Sequence, residues 1–142
     1  MATPRTPSHA LAALSAQHAD LRAQIARCEQ LADELDAGAA EPAVLLEAIT
    51  ALRRTFDAHN QLEERWLHPL MIGTDWMGAV RVARMVEDHV EEHQAIRRAI
   101  APELGSTTTA ALRDVLAGLR DHLAAEERGF LSRRVLRDNL SE

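Results

Sequence analysis

A chain of 142 residues fits one domain, and its composition favours helices. Hydrophobic residues make up 46% of it but aromatic residues only 3%, so the core must consist mainly of Leu, Ala, Ile and Val. The net charge of −6, without a basic stripe, argues against nucleic-acid binding. Cys28 is the only cysteine, which excludes an intrachain disulfide. No apolar run approaches the ~20 residues that cross a bilayer, and the N-terminus lacks the apolar core of a signal peptide. We therefore expect a cytoplasmic protein with no membrane partner.

Proline and glycine divide the chain into four helical blocks. Breaks fall at Asp36-Ala37-Gly38 with Pro42, near Pro69, and near Pro102. The predicted helices cover residues 8–36, 42–68, 76–101 and 108–131, with a short helical tail after the last. Short connections favour antiparallel neighbours. The predicted fold is an all-α, antiparallel up-down-up-down four-helix bundle.

The predicted domain spans residues 8–142, after a flexible N-terminal tail at residues 1–7.

Each helical block carries apolar residues at spacings of three and four, which is typical of a helix with one buried face. These stripes contain seven polar residues: His18, His59, Glu63, His89, His93, His122 and Glu126. Six of them form pairs four residues apart, which places both side chains of a pair on one helix face. At ~1.5 Å of rise per residue, all seven lie roughly 11 to 25 Å above the start of the first helix.

Because the seven polar residues lie at similar heights in the bundle, a metal site is favoured over two alternatives. A lone histidine on an apolar stripe is usually a core residue with a hydrogen-bond partner, and a purely structural polar network is the other alternative. Burying five imidazoles and two carboxylates is costly unless every one is satisfied. Seven ligands are too many for one tetrahedral zinc. Imidazole with carboxylate suits iron, while zinc and manganese remain alternatives.

Other candidate residues receive simpler interpretations. His9 is expected near solvent. His68 lies off the apolar stripe and next to a proline, so we expect it at the surface or at a helix end. Cys28 is expected to be a small core residue away from the site. Trp66 and Phe130 lie about one turn beyond the two stripe glutamates, where they are either plain core or a wall between the site and water.

The arrangement of these residues resembles the hemerythrin-like, or HHE cation-binding, domains. The first helix supplies one histidine, His18, and the second supplies His59-Asn-Gln-Leu-Glu63. The third helix contributes His89-Val-Glu-Glu-His93 and the fourth His122-Leu-Ala-Ala-Glu126. The similarity covers nearly the whole chain, from about position 18 to position 127.

This resemblance implies a cofactor of two non-haem iron ions with an oxo or hydroxo bridge. Glu63 and Glu126 would bridge the irons. The remaining ligands would be His89, His93 and His122 on one iron, and His18 and His59 on the other. The second iron would keep an open place. Oxygen-carrying members of the family have Asp five residues after the histidine of the fourth helix, where this chain has Glu127, so Glu126 and Glu127 are both candidates for the second bridge.

The resemblance also implies a function in which O2, H2O2 or NO binds or reacts at the site, as in oxygen binding, sensing, or the handling of peroxide or NO. Five neutral imidazoles and two carboxylates place less negative charge on iron than the two histidines and four carboxylates of ferritin-like oxygenases. Binding of a small ligand is therefore favoured over hydroxylation of strong C–H bonds. The alternatives are a di-iron oxidase or catalase-like peroxidase acting on a small substrate, and an iron storage or sensing module. The sequence assigns no catalytic residue and no oligomeric state.

Overall fold

The computed structural model describes residues 7–69, 79–100 and 108–129, and every regular element within these ranges is helical. Helix α1 spans Pro7–Asp36 and α2 spans Pro42–Leu62, followed by a π-helical turn at Glu63–Leu67. Helix α3 spans Ala79–Ala99 and α4 spans Thr109–Gly129. The predicted helices are confirmed within a few residues wherever the structure describes them. The sequence pattern does not predict the π-helical turn, and the predicted C-terminal helical tail lies outside the described residues.

A glycine ends α1 and lets the chain enter α2 after a short link. Gly38 has a φ angle of 74°, in the left-handed region that favours glycine. Its N–H donates to the carbonyl of Leu35 at 3.0 Å, and the N–H of Ala39 donates to the carbonyl of Glu34 at 2.7 Å. These two hydrogen bonds form a Schellman cap, which satisfies the last carbonyls of α1. Pro42 then occupies the first turn of α2, where its missing N–H costs little.

The four described helices pack in the pairs expected of a four-helix bundle. Helix α1 contacts α2 and α4, and α3 contacts the same two helices. Arg113 of α4 lies 2.6 Å from Asp33 of α1, while Arg120 lies 2.5 Å from Glu29. Later residues of α4 thus meet earlier residues of α1, so these two helices run antiparallel. The complete up-down-up-down order stays a prediction.

An apolar core fills one end of the helical assembly. It contains Cys28, as predicted, among Leu and Ile side chains, and its largest members include Leu21, Ile25, Leu45, Ile49, Leu52, Phe56, Ile100, Leu112, Leu116 and Leu119. Burying one such side chain stabilises the fold by roughly 1.5 to 3 kcal/mol. The polar stripe residues continue the same four helix faces beyond this core. In the described helices, no apolar stretch is long enough to cross a bilayer.

Candidate metal centre

The seven polar residues of the apolar stripes lie together in the interior, and each is at most 4% exposed. They form two groups in which one nitrogen or oxygen atom from each residue lies within 4.8 Å of the others. We call the first the α3–α4 group; its members are His89, His93, His122 and Glu126. The second, the α1–α2 group, consists of His18, His59, Glu63 and again Glu126.

Helical spacing brings the members of each pair onto one face. The Nε2 atom of His59 lies 3.1 Å from Oε1 of Glu63, which is four residues later, at the start of the π-helical turn that follows α2. In the same way, Nε2 of His122 lies 3.0 Å from Oε2 of Glu126 on α4. Because both pairs point toward the middle of the four helices, side chains that are distant in sequence converge there.

Glu126 lies between the two groups and turns one oxygen to each. Its Oε1 atom is 2.9 Å from Nε2 of His18 and 3.3 Å from Nε2 of His59. Its Oε2 atom is 3.0 Å from Nε2 of His122 and 3.3 Å from Nε2 of His93. A carboxylate with one oxygen toward each of two groups has the arrangement needed to bridge two cations.

Glu63 is the residue that most clearly fits a cation. Its Oε1 atom lies 3.1 Å from Nε2 of His59 and 3.2 Å from Nε2 of His93. Yet, within the described part of the chain, neither of its carboxylate oxygens has a hydrogen-bond partner of acceptable geometry. The Nε2 atom of His122 is also buried there without such a partner. Unsatisfied buried polar atoms cost free energy, and a cation among converging nitrogens and oxygens would satisfy them.

Without a cation, the pKa values of the two carboxylates shift in opposite directions. Burial and the neighbouring charge of Glu126 raise the pKa of Glu63 well above its usual range. Burial also opposes ionisation of Glu126, but its close contacts with the imidazole rings of His122, His18 and His59 hold its pKa well below the usual range. The protein alone thus stabilises one ionised carboxylate here, whereas positive charge would favour two.

Three histidines of these groups hold their outer ring nitrogen against an oxygen atom. The Nδ1 atoms of His18, His59 and His122 lie 3.0, 2.7 and 2.5 Å from oxygens of Glu127, Gln17 and Glu92, respectively. An Nδ1–H that donates to such an oxygen fixes the ring and leaves the Nε2 lone pair free to face the interior. Partners of this kind orient histidine ligands in metal sites.

The structure separates the two candidate glutamates of α4. Glu126 is 1% exposed and belongs to both groups, whereas the side chain of Glu127 is 40% exposed. Arg22 donates to both oxygens of Glu127, one of them at 2.8 Å. These hydrogen bonds are the main reason that the pKa of Glu127 falls to about 2. Glu127 therefore supports His18 from outside the two groups.

The interpretation of His68 as a surface residue is wrong, although His68 does lie at a helix end, as the C-cap of the π-helical turn. His68 is 3% exposed, and its Nε2 atom lies 2.8 Å from Nδ1 of His89. Burial, followed by the charge of His89, lowers the pKa of His68 to about 4. An α-helical pattern misses this residue because the π-helical turn just before it changes which face it occupies.

The remaining expectations concern residues near the ends of the helices. His9 is exposed, as expected. The possible wall between the site and water involves Phe130 and the side chain of Trp66, which lie outside the described parts of the chain.

Comparison with known proteins identifies one family. The model of the hemerythrin HHE cation-binding domain matches residues 9–133, which include both groups. Neither curated proteins nor solved structures give a match.

Proposed function

Because the chain belongs to the hemerythrin HHE cation-binding domain family, we propose that it holds two iron ions and uses them to bind or react with O2, peroxide or NO. The proposed ligands are His18, His59, Glu63, His89, His93, His122 and Glu126. The observation that carries the proposal is the pair of buried four-residue groups that share Glu126.

The donor set supports iron as the cation. Imidazole nitrogen and carboxylate oxygen together suit iron, and neither group contains the thiolate that marks many structural zinc sites. Two groups within one buried cluster also fit two cations better than one. Two irons bound here would supply redox chemistry toward a small ligand.

The two groups differ in how many nitrogen atoms they offer to a cation. His89, His93 and His122 supply three nitrogens to the α3–α4 group, whereas the α1–α2 group has only the nitrogens of His18 and His59. The second group is therefore the one expected to keep a place for a small ligand. Five imidazoles also contribute no negative charge when neutral, which favours ligand binding over strongly oxidising chemistry.

A surface cavity lies close to one edge of the site. It has a volume of about 180 Å³ and is lined by Met85, Asp88, His89 and Glu92. His89 belongs to the α3–α4 group, and Glu92 contacts the outer nitrogen of His122. A diatomic molecule is small enough to approach the buried residues from this side.

Anaerobic loading with Fe²⁺ tests the proposal. We expect about two irons per folded chain, and an optical spectrum that changes on addition of O2 or NO and recovers when the gas is removed. The His9→Ala variant serves as a control, since His9 is exposed and should leave both results unchanged. A folded chain that refuses iron would overturn the proposed cofactor. One-way oxidation with continuous consumption of peroxide would show an enzyme rather than a reversible binder.

A further inference from the structure

His68 is a buried histidine that belongs to neither of the two groups. Its ring lies beside that of His89, with centroids 5.0 Å apart, and the Nε2 atom of His68 faces Nδ1 of His89 at 2.8 Å. At this distance two ring nitrogens share a proton, with one donating and the other accepting. The pair alone fits either direction of this hydrogen bond.

The π-helical turn is what brings His68 to this place. Its backbone N–H donates to the carbonyl of Glu63, five residues earlier, instead of the carbonyl four residues earlier. In an uninterrupted α-helix, a residue five positions after Glu63 would point about 140° away from it. The wider turn takes up one extra residue and returns His68 to the interior. π-helical turns are rare and are often found at functional sites.

The other nitrogen of His89 determines the direction of the shared hydrogen bond. The Nε2 atom of His89 faces Oε2 of Glu126, inside the α3–α4 group. To offer a lone pair to a cation there, Nε2 must carry no hydrogen, so the hydrogen of a neutral ring lies on Nδ1. Nδ1 then donates to His68, which accepts through Nε2.

His68 thus accepts a hydrogen bond from the outer ring nitrogen of His89, as oxygen atoms do for three other histidines. Gln17, Glu92 and Glu127 accept from outer ring nitrogens in the same manner. A neutral imidazole differs from a carboxylate, because it accepts the hydrogen bond without adding negative charge beside the site. His89 would accordingly be a weaker donor to a cation than a histidine supported by a carboxylate.

We propose that His68 is a positioning residue that holds His89 with its Nε2 lone pair toward the cation site, through a hydrogen bond that the π-helical turn makes possible. The expected consequence, tighter metal binding, rests on the proposed function. Its structural part, the position of the hydrogen on His89, is independent of whether the metal is iron.

Two substitutions at position 68 separate positioning from packing. Gln carries an acceptor oxygen at about the same distance from the backbone as the Nε2 atom of His, whereas Leu fills similar space without an acceptor. We expect His68→Leu to weaken Fe²⁺ binding by about 10- to 100-fold in a competition assay with a chelator, as is typical when the partner of a histidine ligand is lost. His68→Gln should recover most of the affinity, and His9→Leu should have none of these effects.

Nitrogen-15 NMR of the histidine rings supplies a second measurement, made on the metal-free and the zinc-loaded protein. In the zinc-loaded protein we expect the hydrogen of His89 on Nδ1 in the wild type and in His68→Gln, and a mixture of both forms in His68→Leu. Without metal, the facing oxygen of Glu126 favours the hydrogen on Nε2. Equal affinity in all variants, or equal losses in the Gln and Leu variants, would overturn the inference. If the wild-type chain bound no iron but the zinc-loaded protein had the hydrogen of His89 on Nδ1, the proposed function would fail while the role of His68 in orienting His89 would stand.

Discussion

The two ends of the helical assembly are built from the same four helix faces but are held together differently. At one end, Leu and Ile side chains and Phe56 exclude water, and each contributes by burial alone. At the other end, histidines and glutamates occupy equivalent positions, and several of their polar atoms have no hydrogen-bond partner among the described residues. The apolar end needs no partner beyond its own side chains, whereas a cation would satisfy the unpartnered atoms of the polar end. We therefore expect stability and metal binding to separate along the length of the molecule.

Removal of the shared carboxylate should have the largest effect. Because Glu126 faces both groups, Glu126→Ala should reduce iron from about two per chain to nearly none. Iron analysis of the purified, folded variant measures this. Glu127→Ala is the matched control on the neighbouring residue and should retain iron, although bound less tightly. Retention of both irons by Glu126→Ala would show that the centre is not built on this residue.

A substitution in the apolar end should lower stability without removing the metal. Leu119 is fully buried in the apolar core, so Leu119→Ala should lower the free energy of unfolding by about 2 to 5 kcal/mol. Chemical denaturation of the iron-loaded and metal-free forms measures this loss, which should be similar in both. Leu46→Ala, at a residue that is 41% exposed, should change stability by less than about 0.5 kcal/mol. Loss of iron from folded Leu119→Ala would contradict the separation of the two ends.

Weakening the outer support of one histidine should have a smaller effect on the polar end. Glu127→Ala removes the acceptor for Nδ1 of His18 and releases Arg22. We expect iron affinity to fall by roughly 10-fold, the lower part of the range for such partners. Glu127→Gln keeps an acceptor oxygen and should lose less. If the Gln and Ala variants lost the same amount, charge rather than orientation would be the important property of Glu127.

The smallest expected effect lies at the outer edge of the apolar end, where α1 meets α4. Asp36 accepts hydrogen bonds from Thr109 at 2.8 Å and from Arg113 at 3.0 Å, and these lower its pKa. A lowered pKa in the folded state contributes stability above the unfolded value of about 3.8, and this contribution is lost as the pH falls below it. Asp36→Asn should therefore reduce stability slightly at pH 7 and hardly at all at pH 2, as measured by urea unfolding at both pH values.

A matched control is available on the same helix. Asp20 is exposed, and Asp20→Asn should leave the difference between pH 7 and pH 2 nearly unchanged. A pH dependence of Asp36→Asn identical to that of the wild-type protein would show that the contact with α4 contributes nothing measurable.

The helices and the inward-facing residues could be predicted because both depend on the regular period of the α-helix. Pro42 and Gly38 mark one link through backbone geometry, and residues four apart necessarily share a face. His68 could not be predicted in this way, because a single hydrogen bond to the carbonyl five residues earlier breaks the period. The choice between Glu126 and Glu127 was also open, since flexible side chains at adjacent positions can turn either way. In the structure Arg22 and Nδ1 of His18 hold Glu127 on the outer side, and Glu126 is the one that is buried.

The shared position of Glu126 has a consequence for how the site would fill. A first cation bound at one oxygen would restrict rotation of the carboxylate and leave its second oxygen already aimed at the other group. The entropy lost on ordering this side chain would be spent at the first binding event, so the second ion would bind more tightly than the first. Titration with metal should then give a sigmoidal curve with a Hill coefficient above one, and partly loaded samples should contain mainly empty and fully loaded chains.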